Sequence, residues 1–236
     1  MDIVYVLGKG SKWENNEIRY SLRSVAKYLK NYGNIYVIGE KPDFLKNVIH
    51  IPCEDEFPCN KEANIALKIK KACETPEITG NFLFMNDDHF FLQEMNAQRI
   101  PPYNKGFIKV KIDHRKYCRT IINTLETLAY RQLPVFHYDV HTPIIYNKKL
   151  FLEVLDQYDW YNDGRGLMLK SLYCNTLGVS QRYSFQDLKF EVKLPRLDIL
   201  SKLSGRKIFS IGDEALNEDL KSVFEWLYPN KSIFEV

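Results

Sequence analysis

Apolar residues run along this chain in two rhythms. Continuous runs short enough for strands alternate with longer stretches whose apolar positions recur every three or four residues, the pattern of βαβ units. Ile3 to Leu7 is the first such run, ended by Gly8-Lys9-Gly10-Ser11. A helix is predicted from about Asn16, a suitable N-cap, with Ile18, Leu22, Val25 and Leu29 along one face. Asn34 to Ile38 and Val48 to Ile51 read as strands. Asn60 can cap a helix carrying Ile65, Ile69 and Ala72 on one side, and Asn81 to Met85 reads as a buried strand. Short strands are predicted over Phe107 to Ile112, then a helix through Ile121, Leu125 and Leu128. Further helices are predicted at Lys148–Gln157, Gly164–Thr176 and Leu216–Leu227. The first 90 residues thus give β-α-β, β, α-β, and ligands of open α/β sheets bind at the carboxyl edge of the strands.

The last of those strands runs directly into Asn86-Asp87-Asp88-His89, followed by Phe90-Phe91. Adjacent carboxylates in an apolar setting call for a cation or a strong donor network nearby. A divalent metal bridging the pyrophosphate of a sugar donor meets that need, because Mg²⁺ takes one or two protein carboxylates and completes its shell with phosphate and water. It would also stabilise charge on the departing phosphate. The plain alternative is a strand-end turn in which Asn and Asp bond the backbone.

Composition narrows the setting. The 236 residues are 45% hydrophobic and 27% charged, ordinary for a globular chain that forms one large domain. No stretch approaches the roughly 20 apolar residues of a membrane-spanning helix. The N-terminus has no basic region before its apolar run and so reads as a strand rather than a signal peptide. Five cysteines, an odd number and never spaced as CxxC, point to reduced thiols in the cytoplasm. A net charge of +3 does not by itself indicate nucleic acid.

Several smaller constellations accompany the acidic pair. Gly8-Lys9-Gly10 allows close backbone approach to a phosphate or base, with Lys9 adding charge, although it is neither a P-loop nor a dinucleotide fingerprint. Arg19 and Arg23 lie one helical turn apart, and their forked guanidiniums suit phosphate; a solvated face or ion pairs is the alternative. His137 and His141, four apart around Asp139, supply a metal ligand or a general base, with backbone-satisfied imidazoles as the alternative. Lys105, Lys109, Lys111, His114, Arg115, Lys116 and Arg119 form a basic stretch broken by Asp113, a contact for an anionic acceptor or a solvated surface. Asp163-Gly164-Arg165-Gly166 heads a predicted helix, and Phe209-Ser210-Ile211-Gly212-Asp213 reads as structural.

Three segments together resemble the Stealth proteins, sugar-phosphate transferases of capsular polysaccharide synthesis related to GT-A nucleotide-sugar transferases. They are Asp2-Ile3-Val4-Tyr5, Glu17-Ile18-Arg19-Tyr20-Ser21-Leu22-Arg23-Ser24, and Phe84-Met85-Asn86-Asp87-Asp88-His89-Phe90-Phe91. The match covers roughly the first 90 residues. Gly8-Lys9-Gly10-Ser11 stands where that family usually shows a Val-Asn/Asp-Gly-Ser-Asp type segment, a departure that bears on phosphate transfer more than on fold.

The resemblance implies a GT-A-like (Rossmann-like) three-layer α/β/α domain with a mostly parallel central sheet, spanning residues 1–236. Residues 1–92 would bind the nucleotide-sugar and 93–236 the acceptor. The expected function is metal-dependent transfer of a sugar from a nucleoside diphosphate sugar, UDP-sugar being favoured, to an unidentified acceptor hydroxyl. Mn²⁺ or Mg²⁺ would be held by Asp88 with Asp87 or His141. Gly8, Lys9, Gly10, Arg19, Arg23, Asn86 and Asp87 would bind the donor, with Asp139, His137 or His141 as the base. The alternatives are sugar-1-phosphate transfer, glycosylation of viral DNA bases through the basic stretch (nucleic acid being a disfavoured partner), and a non-catalytic sugar- or polyanion-binding module.

Overall fold

The computed structural model describes residues 1–110, 116–161 and 166–236. The first apolar run is β1 (Asp2–Leu7), followed by α1 (Asn16–Tyr28), β2 (Leu29–Lys30), β3 (Ile35–Gly39) and β4 (Ile49–Ile51). Then come α2 (Lys61–Glu74), β5 (Asn81–Met85), β6 (His89–Phe91), β7 (Met95–Asn96) and α3 (Lys116–Tyr130). The chain continues through β8 (Ile144–Asn147), α4 (Lys148–Leu155), α5 (Leu169–Thr176), β9 (Lys189–Phe190), α6 (Arg196–Leu203), β10 (Ile208–Ile211) and α7 (Glu218–Leu227).

The main sheet has the order β4-β3-β1-β5-β8, parallel except for β8, which pairs antiparallel to β5. β1 is buried along its whole length because both of its faces are covered. Val4 and Val6 point to one side, packing with Tyr36, Ile38 and the α2 residues Ala66 and Ile69. Ile3, Tyr5 and Leu7 point to the other, against Ile18, Leu22 and Val25 of α1. A smaller sheet, β6-β10-β9, forms a third cluster in which Phe90, Phe209 and Phe224 pack with ring centroids 4.7–5.6 Å apart. Gly39 ends β3 at a φ of 111°, and a Cβ there would fall 2.1 Å from the Leu7 carbonyl oxygen. That contact allows only glycine beside β1.

Two local expectations are corrected. The cap of α1 is Asn15, held at a φ of 59°, not Asn16. The Ser11 hydroxyl accepts the Trp13 and Asn15 N–H groups and shifts the helix start by one residue. Among the described residues of the 107–112 segment, no strand forms. Phe107 makes only an isolated bridge to Phe136, whose segment begins at Pro134, a residue with no N–H to extend the ladder. The predicted helix at 164–176 is seen as α5 from Leu169, and Asp163, Gly164 and Arg165 lie outside the described residues. No helix among the described residues is long and apolar enough to cross a membrane.

Candidate functional site

Strand order turns back between β1 and β5: β3 and β4 lie on one side of β1, β5 and β8 on the other. Open α/β sheets take ligands in the crevice at such a point. Asn86 to His89 form the turn that leaves β5 there, closed by the His89 N–H donating to the Asn86 carbonyl at 3.3 Å. Asp87 and Asp88 are its two central residues. They cap no helix, because the chain goes straight on into β6.

Side chains of α1 hold this turn against the sheet. Tyr5 donates its hydroxyl to Ser21 Oγ at 2.9 Å, and Ser21 donates onward to the His89 carbonyl at 2.7 Å. Ser24 Oγ accepts the Phe91 N–H at 3.1 Å. Within the Arg19-to-Ser24 segment, then, the serines dock the acidic turn. The arginines face elsewhere. Arg23 grips Glu235 with Nε and Nη2 at 2.9 and 2.7 Å, and Arg19 reaches the same carboxylate at 3.3 Å. Arg23 is held by this buried carboxylate through both arms of its fork and Arg19 through Nη1 alone, so the structure does not bring Arg19 and Arg23 to Asp87 and Asp88 for donor phosphates.

The two carboxyls of the turn differ in environment. Burial opposes the charge of Asp88, but the Lys189 ammonium, the His141 imidazole and the Ser210 hydroxyl outweigh it and hold its carboxyl below the usual carboxylate range. Ser210 donates to Asp88 Oδ2 at 2.8 Å and Lys189 approaches the same oxygen at 3.4 Å. Burial, then the neighbouring charges of Asp88 and Glu17, push Asp87 up to about 7. His89 is fully buried and kept neutral by that burial. Its Nδ1 accepts the Asn86 N–H at 3.3 Å, so its proton sits on Nε2, which lies 3.9 Å from Asp88 Oδ1. That separation is too long for a hydrogen bond, and both atoms are buried without a partner among the described residues.

The shift on Asp87 has a measurable consequence. Its carboxyl keeps a proton to higher pH in the folded chain than in the unfolded one, so its stabilising contribution is complete below about pH 3.8 and is lost as pH rises through about 7. The stability of Asp87→Asn relative to wild type is therefore expected to improve from pH 5 to pH 8, read as urea midpoints of the ligand-free proteins. A difference that stays constant across that range contradicts the assignment.

A second group stands beside the turn. His141 Nδ1 pairs with Asp187 Oδ2 at 2.7 Å, and the His141 N–H donates to Asp187 Oδ1 at 3.2 Å. Against the burial that opposes its charge, the His141 hydrogen bond and the Lys105 ammonium hold Asp187 down to about 2. The buried Lys170 ammonium donates to the carbonyls of Val140 and Thr142 at 2.8 and 2.6 Å, fixing the residues on either side of His141. With Nδ1 engaged, the half-buried His141 has Nε2 as its remaining ring nitrogen. Asp139 is otherwise occupied, its Oδ2 accepting from the Ser171 N–H and hydroxyl at 2.8 and 2.6 Å. His137 is buried, and that burial pulls its imidazole down to about 4.

Gly8, Lys9 and Gly10 line a cavity of about 220 Å³ with Asn15, Glu40 and Lys41, just past the carboxyl ends of β1 and β3. Gly10 has a φ of 114°, and an adjoining hollow of about 150 Å³ reaches the ion pair of the buried Lys68 with the exposed Asp55. Ser11 ties this loop to α1 by donating to Glu17 at 2.7 Å.

Sequence reading missed Glu17, Lys170, Asp187, Lys189 and Ser210. Two of these lie in segments that the sequence marks out: Glu17 opens the segment Glu17–Ser24, and Ser210 lies in Phe209–Asp213, which reads as structural. Of the basic stretch, Lys105 joins the site through Asp187 at 3.7 Å. Lys111, Asp113, His114, Arg115 and the side chain of Lys116 lie outside the described residues.

No three His, Cys, Asp or Glu side chains converge as a ready-made metal centre among the described residues. An oxygen-seeking divalent ion that shares phosphates needs only one or two protein carboxylates. Asp88 offers a buried oxygen without a partner among the described residues, beside a carboxyl that gives up its proton near neutrality. The residues present fit such an ion.

No protein-family model matches the chain, and no curated protein matches it. Among solved structures it is similar to the galactosyltransferase LgtC in complex with donor and acceptor sugar analogs, with a TM-score of 0.52 and 12% identity over 98% of this chain and 96% of that one. An active-site mutant of LgtC gives a TM-score of 0.48 and 11% identity over the same shares. The likeness is to the GT-A fold at large and not to the Stealth proteins in particular. This chain has the mixed α/β, mostly parallel-sheet GT-A fold.

Proposed function

We propose that this protein is a glycosyltransferase that moves a sugar from a nucleoside diphosphate donor, a UDP-sugar by preference, to an acceptor hydroxyl. One observation carries the reading: paired carboxylates stand at the turning point of a GT-A sheet, with a buried Asp88 oxygen left unpartnered among the described residues. Asp88 and Asp87 would hold Mn²⁺ or Mg²⁺, which when bound supplies Lewis-acid relief of the charge on the departing diphosphate. Gly8, Lys9 and Gly10 line the nucleotide cavity.

His141 is the base of this proposal. Asp139 is engaged by Ser171 and His137 is buried, whereas His141 is oriented by Asp187 and has Nε2 as its remaining ring nitrogen. The acceptor oxygen attacks the anomeric carbon and gives its proton to Nε2. The bond from that carbon to the diphosphate breaks, and its electron pair leaves with the nucleotide. The five free thiols accord with a cytoplasmic setting.

A thermal-shift screen of nucleotide sugars with and without Mn²⁺ tests this reading. Stabilisation by one nucleoside diphosphate sugar, enhanced by Mn²⁺, is expected. Ligand at 100 times its Kd adds about 2.7 kcal/mol. A flat response to every UDP-, GDP-, CDP- and ADP-sugar at millimolar concentration contradicts it.

A further inference from the structure

A diphosphate entering this crevice meets Asp87, Asp88, Glu17 and Asp187, and the two arginines that suit it best are held by Glu235. Beside the divalent ion proposed above, a cation of the chain itself would offset that negative field further. Lys61 bears on Asp87 through its charge alone, and Lys68 is tied to Asp55; four further lysines lie close enough to consider. Lys170 is buried and spends hydrogen bonds on two backbone carbonyls. Lys105 leans on Asp187 at 3.7 Å, and the exposed Lys9 on Glu40 at 3.4 Å. Lys189 alone of these contacts the acidic turn, with Nζ 3.4 Å from Asp88 Oδ2 and a side chain 25% exposed.

We propose that Lys189 is the diphosphate-binding cation of the donor site, an inference that rests on the nucleotide-sugar reading above. Its position is built by the fold. β9 pairs in parallel with β10, placing Lys189 opposite Ser210, so both side chains converge on one oxygen of Asp88. A contact of 3.4 Å is at the loose end of hydrogen bonding, and an ammonium carries three donors on a flexible stem. Lys189 can keep one donor on Asp88 and turn the others to phosphate oxygens. The site then binds the anion through a point charge, the usual role of a lysine among phosphates.

Isothermal titration with UDP, UMP and uridine, with the GDP series in parallel and each with and without Mn²⁺, tests the assignment. Lys189→Met is expected to weaken UDP or GDP binding about 10–100-fold while leaving the nucleoside unchanged. Lys189→Arg is expected to stay within a few-fold of wild type. Should Lys189→Met fail to fold, Lys189→Gln serves in its place. Diphosphate affinity within two-fold of wild type in a folded Met or Gln variant overturns the role of Lys189 and leaves the donor site standing. Absence of nucleotide binding by the wild type overturns both.

Discussion

Asp88→Asn is expected to lower sugar transfer about 10³-fold, roughly 4 kcal/mol of transition-state stabilisation, with the fold intact. The amide keeps the size of the carboxylate, and its oxygen can still accept from Ser210, which donates to Asp88 at 2.8 Å. The change therefore removes charge and little packing. That charge is the one the surrounding groups protect: Lys189, His141 and Ser210 act together to keep Asp88 ionised against its burial. Steady-state turnover with a saturating nucleotide sugar, beside a thermal melt of the same preparation, reads the effect. A variant with wild-type turnover removes Asp88 from the chemistry. A variant that loses activity together with several degrees of melting temperature indicates a structural role instead.

Glu235→Ala is expected to cost about 3–5 kcal/mol of stability, the range for breaking a buried ion pair from one side. Its carboxylate is fully buried and takes both Arg19 and Arg23, while Ser232 donates its N–H and hydroxyl at 2.9 and 3.0 Å. Removing it leaves two guanidiniums without their shared carboxylate, that of Arg19 lying over Phe44 at 3.8 Å. For a chain of this length the melting temperature should fall by roughly 10 °C or more. The contribution also has a pH signature. Although burial opposes its charge, Arg23 and Ser232 hold Glu235 down to about 2, so its stabilisation is complete above the ordinary value of 4.5 and is lost as pH falls toward 2. Urea unfolding at pH 3 and pH 7 measures both effects. A loss below about 1 kcal/mol at pH 7 would mean that the C-terminal segment contributes little to the fold.

The contrast between these two residues shows what sequence could and could not reveal. The frame of the fold was legible because burial on both sides of a parallel sheet leaves continuous apolar runs. Asn81–Met85 is a strand with the bounds its apolar run predicted, and Asn60 caps α2 by accepting the Ala63 N–H. The place of the acidic turn was legible for the same reason, since it follows directly on that buried strand. The arginines were misleading for a physical reason. A forked guanidinium suits any carboxylate or phosphate, and their partner lies more than 200 residues away, at Glu235. Periodicity carries no trace of a contact that long.

The missed residues share that property. Lys189 and Ser210 reach Asp88 from short strands of a second sheet, and two or four residues are too few to show a period. Asp187 finds His141 from 46 residues away, from a segment outside helix and strand. Ser21 and Ser24 were within a segment already singled out, but serines on a helix face rarely announce that they hold a neighbouring turn. Charge drew the reading toward Arg19 and Arg23, while burial shows that the quieter pair docks the site.

Identifying the nucleotide released from UDP-, GDP- and CDP-sugars tests most directly whether Asp87 and Asp88 serve a diphosphate leaving group. The account predicts release of a nucleoside diphosphate from one donor, dependent on Mn²⁺ or Mg²⁺ and abolished in Asp88→Asn. Release of a nucleoside monophosphate, or of no nucleotide from any donor, would contradict it.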